Sequence, residues 1–168
     1  MNIFIINISE IDNIPNALLD SFKHKDFLNT KKQKEHCFTY LMLDRILKEV
    51  YKIKNRDIVF INNKPFLKNR EMFISLSHSE NYIAVGLSDS NCGLDIEKIK
   101  NRNFQLIAKR MKFKSKTLKD FYYDWTKYEA EYKLGKKAEA EKRFVLENYI
   151  LTAVSENPQE TFDIYIQK

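Results

Sequence analysis

With 168 residues, 43% of them hydrophobic, the chain has the size of one domain or of two small halves sharing a core; only three Gly and three Pro exclude a collagenous, loop-dominated or disordered protein. A formal charge of +6 favours an anionic partner, whether nucleic acid, polyphosphate ligand or acidic protein, although lysines also serve simply to keep a surface solvated. No apolar run approaches the roughly 20 residues of a membrane helix, and Cys37 and Cys92 form neither a metal nor a redox spacing, so a cytoplasmic protein in a reducing compartment, with no membrane partner, is expected.

Residues 2–8 are apolar but lack a basic leader and a small-residue cleavage site, so they read as a first strand and not as a signal peptide. Residues 14–50 read as mostly helical, most strongly over 37–50, where Phe38, Leu41 and Ile46 recur at helical spacing. Short strands are expected at 57–62 and 66–67 around an Asn62-Asn63 turn. Strands at 72–77 and 82–88 follow, joined by a polar His78-Ser79-Glu80-Asn81 turn, and then a strand at 92–97. A helix over 104–111 leads through a lysine-rich link to a second helix over 120–136. Strands at 144–155 and 162–167 close the chain, the last one after a turn at Pro158.

An internal echo runs through these elements. Glu80-Asn81-Tyr82-Ile83 recurs as Glu147-Asn148-Tyr149-Ile150, and Phe38-Thr39-Tyr40 on one helix answers Trp125-Thr126-Lys127 on another. Ile6-Asn7-Ile8-Ser9 matches Leu94-Asp95-Ile96-Glu97, which places Asn7, Ser9 and Met42 or a near neighbour where the second half has acids. The expected fold class is therefore α+β: two similar α+β lobes, residues 1–91 and 92–168, form an intramolecular pseudo-dimer with a site in the crevice between them.

The chemistry concentrates in Gly93-Leu94-Asp95-Ile96-Glu97 and in the helix from Trp125 to Lys133. Alternation on the strand projects Asp95 and Glu97 from one face. Four-residue steps on the helix stack Trp125, Glu129 and Lys133 on one stripe. Two carboxylates on a strand beside a third on a helix suit a hard divalent cation such as Mg2+, which takes oxygen ligands and is commonly shared with substrate phosphates. Plainer readings coexist: surface acids on an edge strand, a core tryptophan, and an i,i+4 Glu–Lys pair that only stabilises a helix. At the end of Phe73-Ile74-Ser75-Leu76-Ser77-His78-Ser79, hydroxyls, an imidazole and backbone N–H groups are able to hold phosphate oxygens. Lys64-Pro65 is either an ordinary loop or a presenter of ammonium and backbone groups to a nucleotide. Without a Gly-x-Ser-x-Gly elbow, hydrolase chemistry is not expected. No Gly-x-Gly-x-x-Gly or Walker loop occurs either.

Together these segments resemble the surfactin-synthetase type of 4'-phosphopantetheinyl transferase. Asn63-Lys64-Pro65 stands for the family's Gly-Lys-Pro, the strand from Phe73 to Ser79 for Phe-Asn-Leu-Ser-His-Ser, Gly93 to Glu97 for Gly-Ile-Asp-Ile-Glu, and Trp125 to Lys133 for Trp-x-x-Lys-Glu-Ala-x-x-Lys. The resemblance implies transfer of the phosphopantetheine arm of coenzyme A to a serine of an acyl or peptidyl carrier protein, as in fatty acid biosynthesis. Adenosine 3',5'-bisphosphate leaves. It implies that Asp95, Glu97 and Glu129 hold Mg2+ (or Mn2+), that Glu129 and Lys133 are catalytic, that Ser77 and His78 contact the 3'-phosphate, and that Lys64 and Pro65 lie beside the adenine and phosphates. Departures are Asn63 for Gly, Tyr128 for the lysine before the catalytic glutamate, and no clear counterpart of a phosphate-binding arginine. Lys34, His36 and Arg45, with Lys23, Lys31 and Lys32 behind them, are the candidates for that role. A monomer with no nucleic-acid partner is expected. Two alternatives stand beside the transferase: a relative that binds coenzyme A or carrier without turnover, and a metal-dependent nucleic-acid enzyme. The second is weakened because no basic stripe interleaved with aromatics stands out.

Overall fold

A computed structural model describes residues 1–9, 30–61, 64–69 and 72–167, with side chains of the first helix from residue 35 onward. The part of the expected helix over 14–29, Lys23, the Asn62-Asn63 turn and the side chains of Lys31, Lys32 and Lys34 lie outside the described residues.

The chain is α+β. In order it forms β1 (Asn2–Asn7), α1 (Thr30–Glu49), β2 (Ile58–Ile61), β3 (Lys64–Leu67), β4 (Phe73–Ser79), β5 (Tyr82–Ser88), β6 (Cys92–Lys98), α2 (Phe104–Met111), α3 (Leu118–Leu134), β7 (Ala140–Leu146), β8 (Tyr149–Ser155) and β9 (Asp163–Gln167). Six strands make a large sheet ordered β2-β3-β4-β5-β1-β9, and three make a small sheet ordered β6-β8-β7. All pairings are antiparallel except β1 with β9.

Side-chain alternation turns these sheets into layers. Ile74, Ile83, Val85 and Leu87 pack from the large sheet against Cys37, Phe38, Leu43 and Leu47 of α1. Ile3, Ile5 and Ala84 point the other way and meet Leu94, Ile96, Leu151 and Ala153 of the small sheet. Ile150 and Val154 face outward from that sheet, under Phe121 and Ala130 of α3. The stack is helix, sheet, sheet, helices.

Several expectations shift. Residues 144–155 are not one strand but the hairpin of β7 and β8, broken at Glu147, which takes the left-handed conformation (φ 51°). Likewise Glu80 turns β4 into β5 at φ 53°, so His78 and Ser79 belong to β4 and not to the turn. The chain leaves the large sheet after Ser88 and enters the small one at Cys92, but β9 crosses back to pair with β1 (Ile3 opposite Ile164). Residues 163–167 thus belong with the sheet of the first half rather than with residues 92–162. Burial of Phe162 and Ile164 against the inter-sheet core accounts for the return.

The β4–β5 and β7–β8 hairpins each receive one backbone hydrogen bond from a neighbouring segment. Ile8 N donates to Asn81 O and Ile99 N to Asn148 O, both at 2.7 Å. Ile6 lies opposite Ile83 and Glu97 opposite Ile150, so the counterparts of Asp95 and Glu97 are Phe4 and Ile6, not Asn7 and Ser9. On the helices, Thr39 Oγ1 donates to Glu35 O (2.7 Å) and Thr126 Oγ1 to Tyr122 O (2.8 Å), the same buried back-bond one turn upstream.

Candidate functional site

The two acids of β6 are fixed by serines of β4. β8 occupies one edge of β6; the other abuts the face of the large sheet, where Ser75, Ser77 and Ser79 project at two-residue spacing. Ser77 Oγ accepts from Ile96 N (3.2 Å) and donates to Asp95 Oδ1 (2.8 Å). One step along, Ser79 Oγ accepts from Lys98 N (3.1 Å) and donates to Glu97 Oε2 (2.9 Å). Hydroxyls, which donate and accept at once, stand in for a neighbouring strand and orient the carboxylates in the same act.

α3 brings the remaining groups. It starts with a capping box between Thr117 and Asp120 and stops at Gly135, whose φ of 86° suits glycine. Gly93 lets it approach β6: a Cβ there would stand 2.0 Å from Ala130 O. Thr126 Oγ1 and Thr152 Oγ1, 2.7 Å apart, fix the helix on β8. One turn beyond Glu129, Lys133 Nζ donates to Asp95 Oδ1 (2.8 Å) and Leu94 O (2.9 Å). The Trp125 ring stacks on Phe121 with centroids 6.0 Å apart.

Electrostatics tie the three acids together. Burial raises the proton affinity of Glu97, the charge of Asp95 adds to this, and hydrogen bonds from Ser79 and Trp125 oppose it. Glu129 is raised as well, by burial first and Asp95 second, with Lys133 opposing. Among the described residues, Asp95 Oδ2 is buried without a hydrogen-bond partner. Hard oxygen donors, mutual repulsion and an orphaned carboxylate oxygen fit a hard divalent cation. The closed cage expected from sequence is not formed: among the described residues no three His, Cys, Asp or Glu side chains are grouped as a metal site. Lys133 places its ammonium on Asp95 Oδ1 at 2.8 Å.

A cleft of about 1020 Å³ opens between α1, β3, β4 and the end of α3, and Lys64, Pro65, His78 and Lys133 all line it. Lys64 donates to the Asn91 side chain and to Cys92 O (3.2 Å), and burial lowers its pKa. Ser75 lines the cleft, whereas Ser77 donates its hydroxyl to Asp95. His36 lines the cleft beside Tyr40, but Arg45 pairs with Glu49 (3.0 Å) and lines a separate, smaller cavity. Tyr128 packs edge-on against Phe113 and is part of the aromatic surface next to Trp125.

Sequence alone assigns Ser79 to a phosphate-holding strand end and not to Glu97, and it does not single out Glu35, Asn91 or Tyr132. The serine alternation at 75, 77 and 79 was the available signal for Ser79. Asn91 donates to Leu134 O (3.1 Å) while holding Lys64, a link between chain segments that no local pattern marks. Comparison with protein-family models and with curated proteins returns no match.

Proposed function

We propose that the chain is a 4'-phosphopantetheinyl transferase that takes coenzyme A and modifies a serine of an acyl or peptidyl carrier protein. The observation that carries this reading is the acidic corner of Asp95, Glu97 and Glu129 beside a large cleft lined by Lys64, His78 and Lys133. Matching strand orders, β4-β5-β1 and β7-β8-β6, support treating the sheets as the cores of two related lobes in a pseudo-dimer.

In this reading Asp95, Glu97 and Glu129 would hold Mg2+. When bound, the cation stabilises charge on the diphosphate and aligns it for in-line attack. Lys64 offers positive charge to the phosphates within the cleft, and His78 lines the same wall. Glu129 would take the proton of the incoming serine hydroxyl, directly or through a water. Lys133 follows charge onto the departing phosphate. Trp125 stacks on Phe121 and donates a hydrogen bond to Glu97. Carrier proteins are expected to present acidic helices, and the charge of +6 steers such a partner in.

The direct test incubates the protein with coenzyme A, Mg2+ and a panel of apo carriers. One phosphopantetheine mass should appear on a carrier serine. The ammonium of Lys133 on Asp95 favours one second reading, a binder without turnover. Calorimetric binding of coenzyme A with unmodified carriers would select it.

A further inference from the structure

Lys133 already brings positive charge to the acidic corner. Its Nζ donates to Asp95 Oδ1 (2.8 Å) and to Leu94 O (2.9 Å), and Ser77 Oγ donates to the same carboxylate oxygen (2.8 Å). Asp95 is 6% exposed, and among the described residues its Oδ2 has no partner. A carboxylate this buried needs a countercharge, because an uncompensated buried ion is strongly destabilising. Lys133 supplies that charge without a metal. Mg2+ binds carboxylate oxygens at about 2.0–2.1 Å, so an ammonium held on the same carboxylate would stand a few ångströms from the ion and repel it.

We propose that Lys133 is the resident counter-ion of the acidic corner, and that a divalent cation entering at Asp95 displaces its ammonium into the cleft. The inference rests on the cation site of the transferase reading, but not on transfer itself. Two features allow the movement. Lys133 lies on the last turn of α3 and lines the cleft of about 1020 Å³, so the ammonium has open space beside it. Once the cation neutralises Asp95, the remaining hold is one hydrogen bond to the Leu94 carbonyl, weak beside the charge pair. The ion pair thus satisfies Asp95 in the cation-free fold and lowers the affinity of the corner for divalent ions.

Two measurements on the full chain test this. Mn2+ binding, read by electron paramagnetic resonance without any nucleotide, compares wild type with Lys133→Met, which keeps an apolar stem and removes the charge. The variant should bind Mn2+ about tenfold more tightly, the scale of one hydrogen bond to a charged group; loss of a merely structural lysine would weaken binding instead. In wild type, lysine acylation read by mass spectrometry should label Lys133 several-fold faster in Mg2+ than in chelator, while the exposed Lys109 and Lys114 keep their rates. Equal or weaker Mn2+ binding by the variant, or Lys133 labelling indifferent to Mg2+, overturns the proposal. If the variant does not fold, the labelling of wild type decides. Mn2+ binding to neither protein refutes the proposal together with the cation site. Displacement in a protein that modifies no carrier upholds the proposal and counts against the transferase alone.

Discussion

Glu129 and Lys133 stand one helical turn apart and act on the same carboxylate with opposite sign, Glu129 by repulsion and Lys133 by a 2.8 Å ion pair. Replacing Glu129 with Gln removes the proposed base and one negative charge while keeping the shape. Transfer should fall by about 10²–10⁴-fold, the usual contribution of a positioned acid or base, with an unchanged circular dichroism spectrum; full turnover in the variant would remove Glu129 from the mechanism. Glu97 makes a pH prediction. Its folded-state pKa is raised above 4.5, so the native state binds the proton more tightly than the unfolded chain. Its contribution is therefore full below pH 4.5 and is lost as pH rises through the folded value. In chelator, Glu97→Gln should gain melting temperature over wild type at pH 8, by about 2–4 °C, the shift that roughly 1 kcal/mol gives at this size. The gap should close toward pH 4; a pH-independent gap would contradict the sign.

At the scale of elements, the decisive contact is α3 on β6 through Gly93. Gly93→Ala places a methyl against the Ala130 carbonyl, where helix backbone must move. The expected cost is about 1–3 kcal/mol in urea unfolding, and the displacement of Glu129 and Lys133 should lower turnover beyond what lost stability explains. A variant with native stability and turnover would show that the approach is not tight. α3 and β6 were legible in sequence because their periods are local: alternation on the strand, four-residue steps on the helix. β7 was not, since Ala140 to Arg143 is a charged edge without clean alternation. Nor was the duty of Ser77 and Ser79, which arises only when one sheet's edge meets another sheet's face. The register of β1 was not legible either, because short apolar runs look alike until hairpin pairing fixes them.

On the scale of the whole molecule, Glu160 fastens the two sheets. Its carboxylate accepts from the Met1 ammonium, from Ser88 at the end of β5 (3.0 Å) and from Ser155 at the end of β8 (2.9 Å). Burial pushes its pKa up, but these three donors outweigh burial and hold it below the usual carboxylate range. Its stabilisation is thus present above about pH 4.5 and lost as pH falls through the lower folded value. Glu160→Ala should cost about 3–5 kcal/mol at neutral pH, as breaking a buried pair does, with a smaller deficit in acid; denaturant unfolding at both pH values checks it. The return of β9 to the large sheet likewise joins chain ends that sequence order keeps apart.

The central claim concerns three carboxylates acting with a cation on coenzyme A, and the intact mass of an apo carrier protein across a magnesium titration tests it most directly. The account predicts a gain of one phosphopantetheine that rises with magnesium, stops in chelator and is absent with Glu129→Gln. An unmodified carrier throughout a broad panel, or a gain that persists in chelator and in the variant, would contradict it.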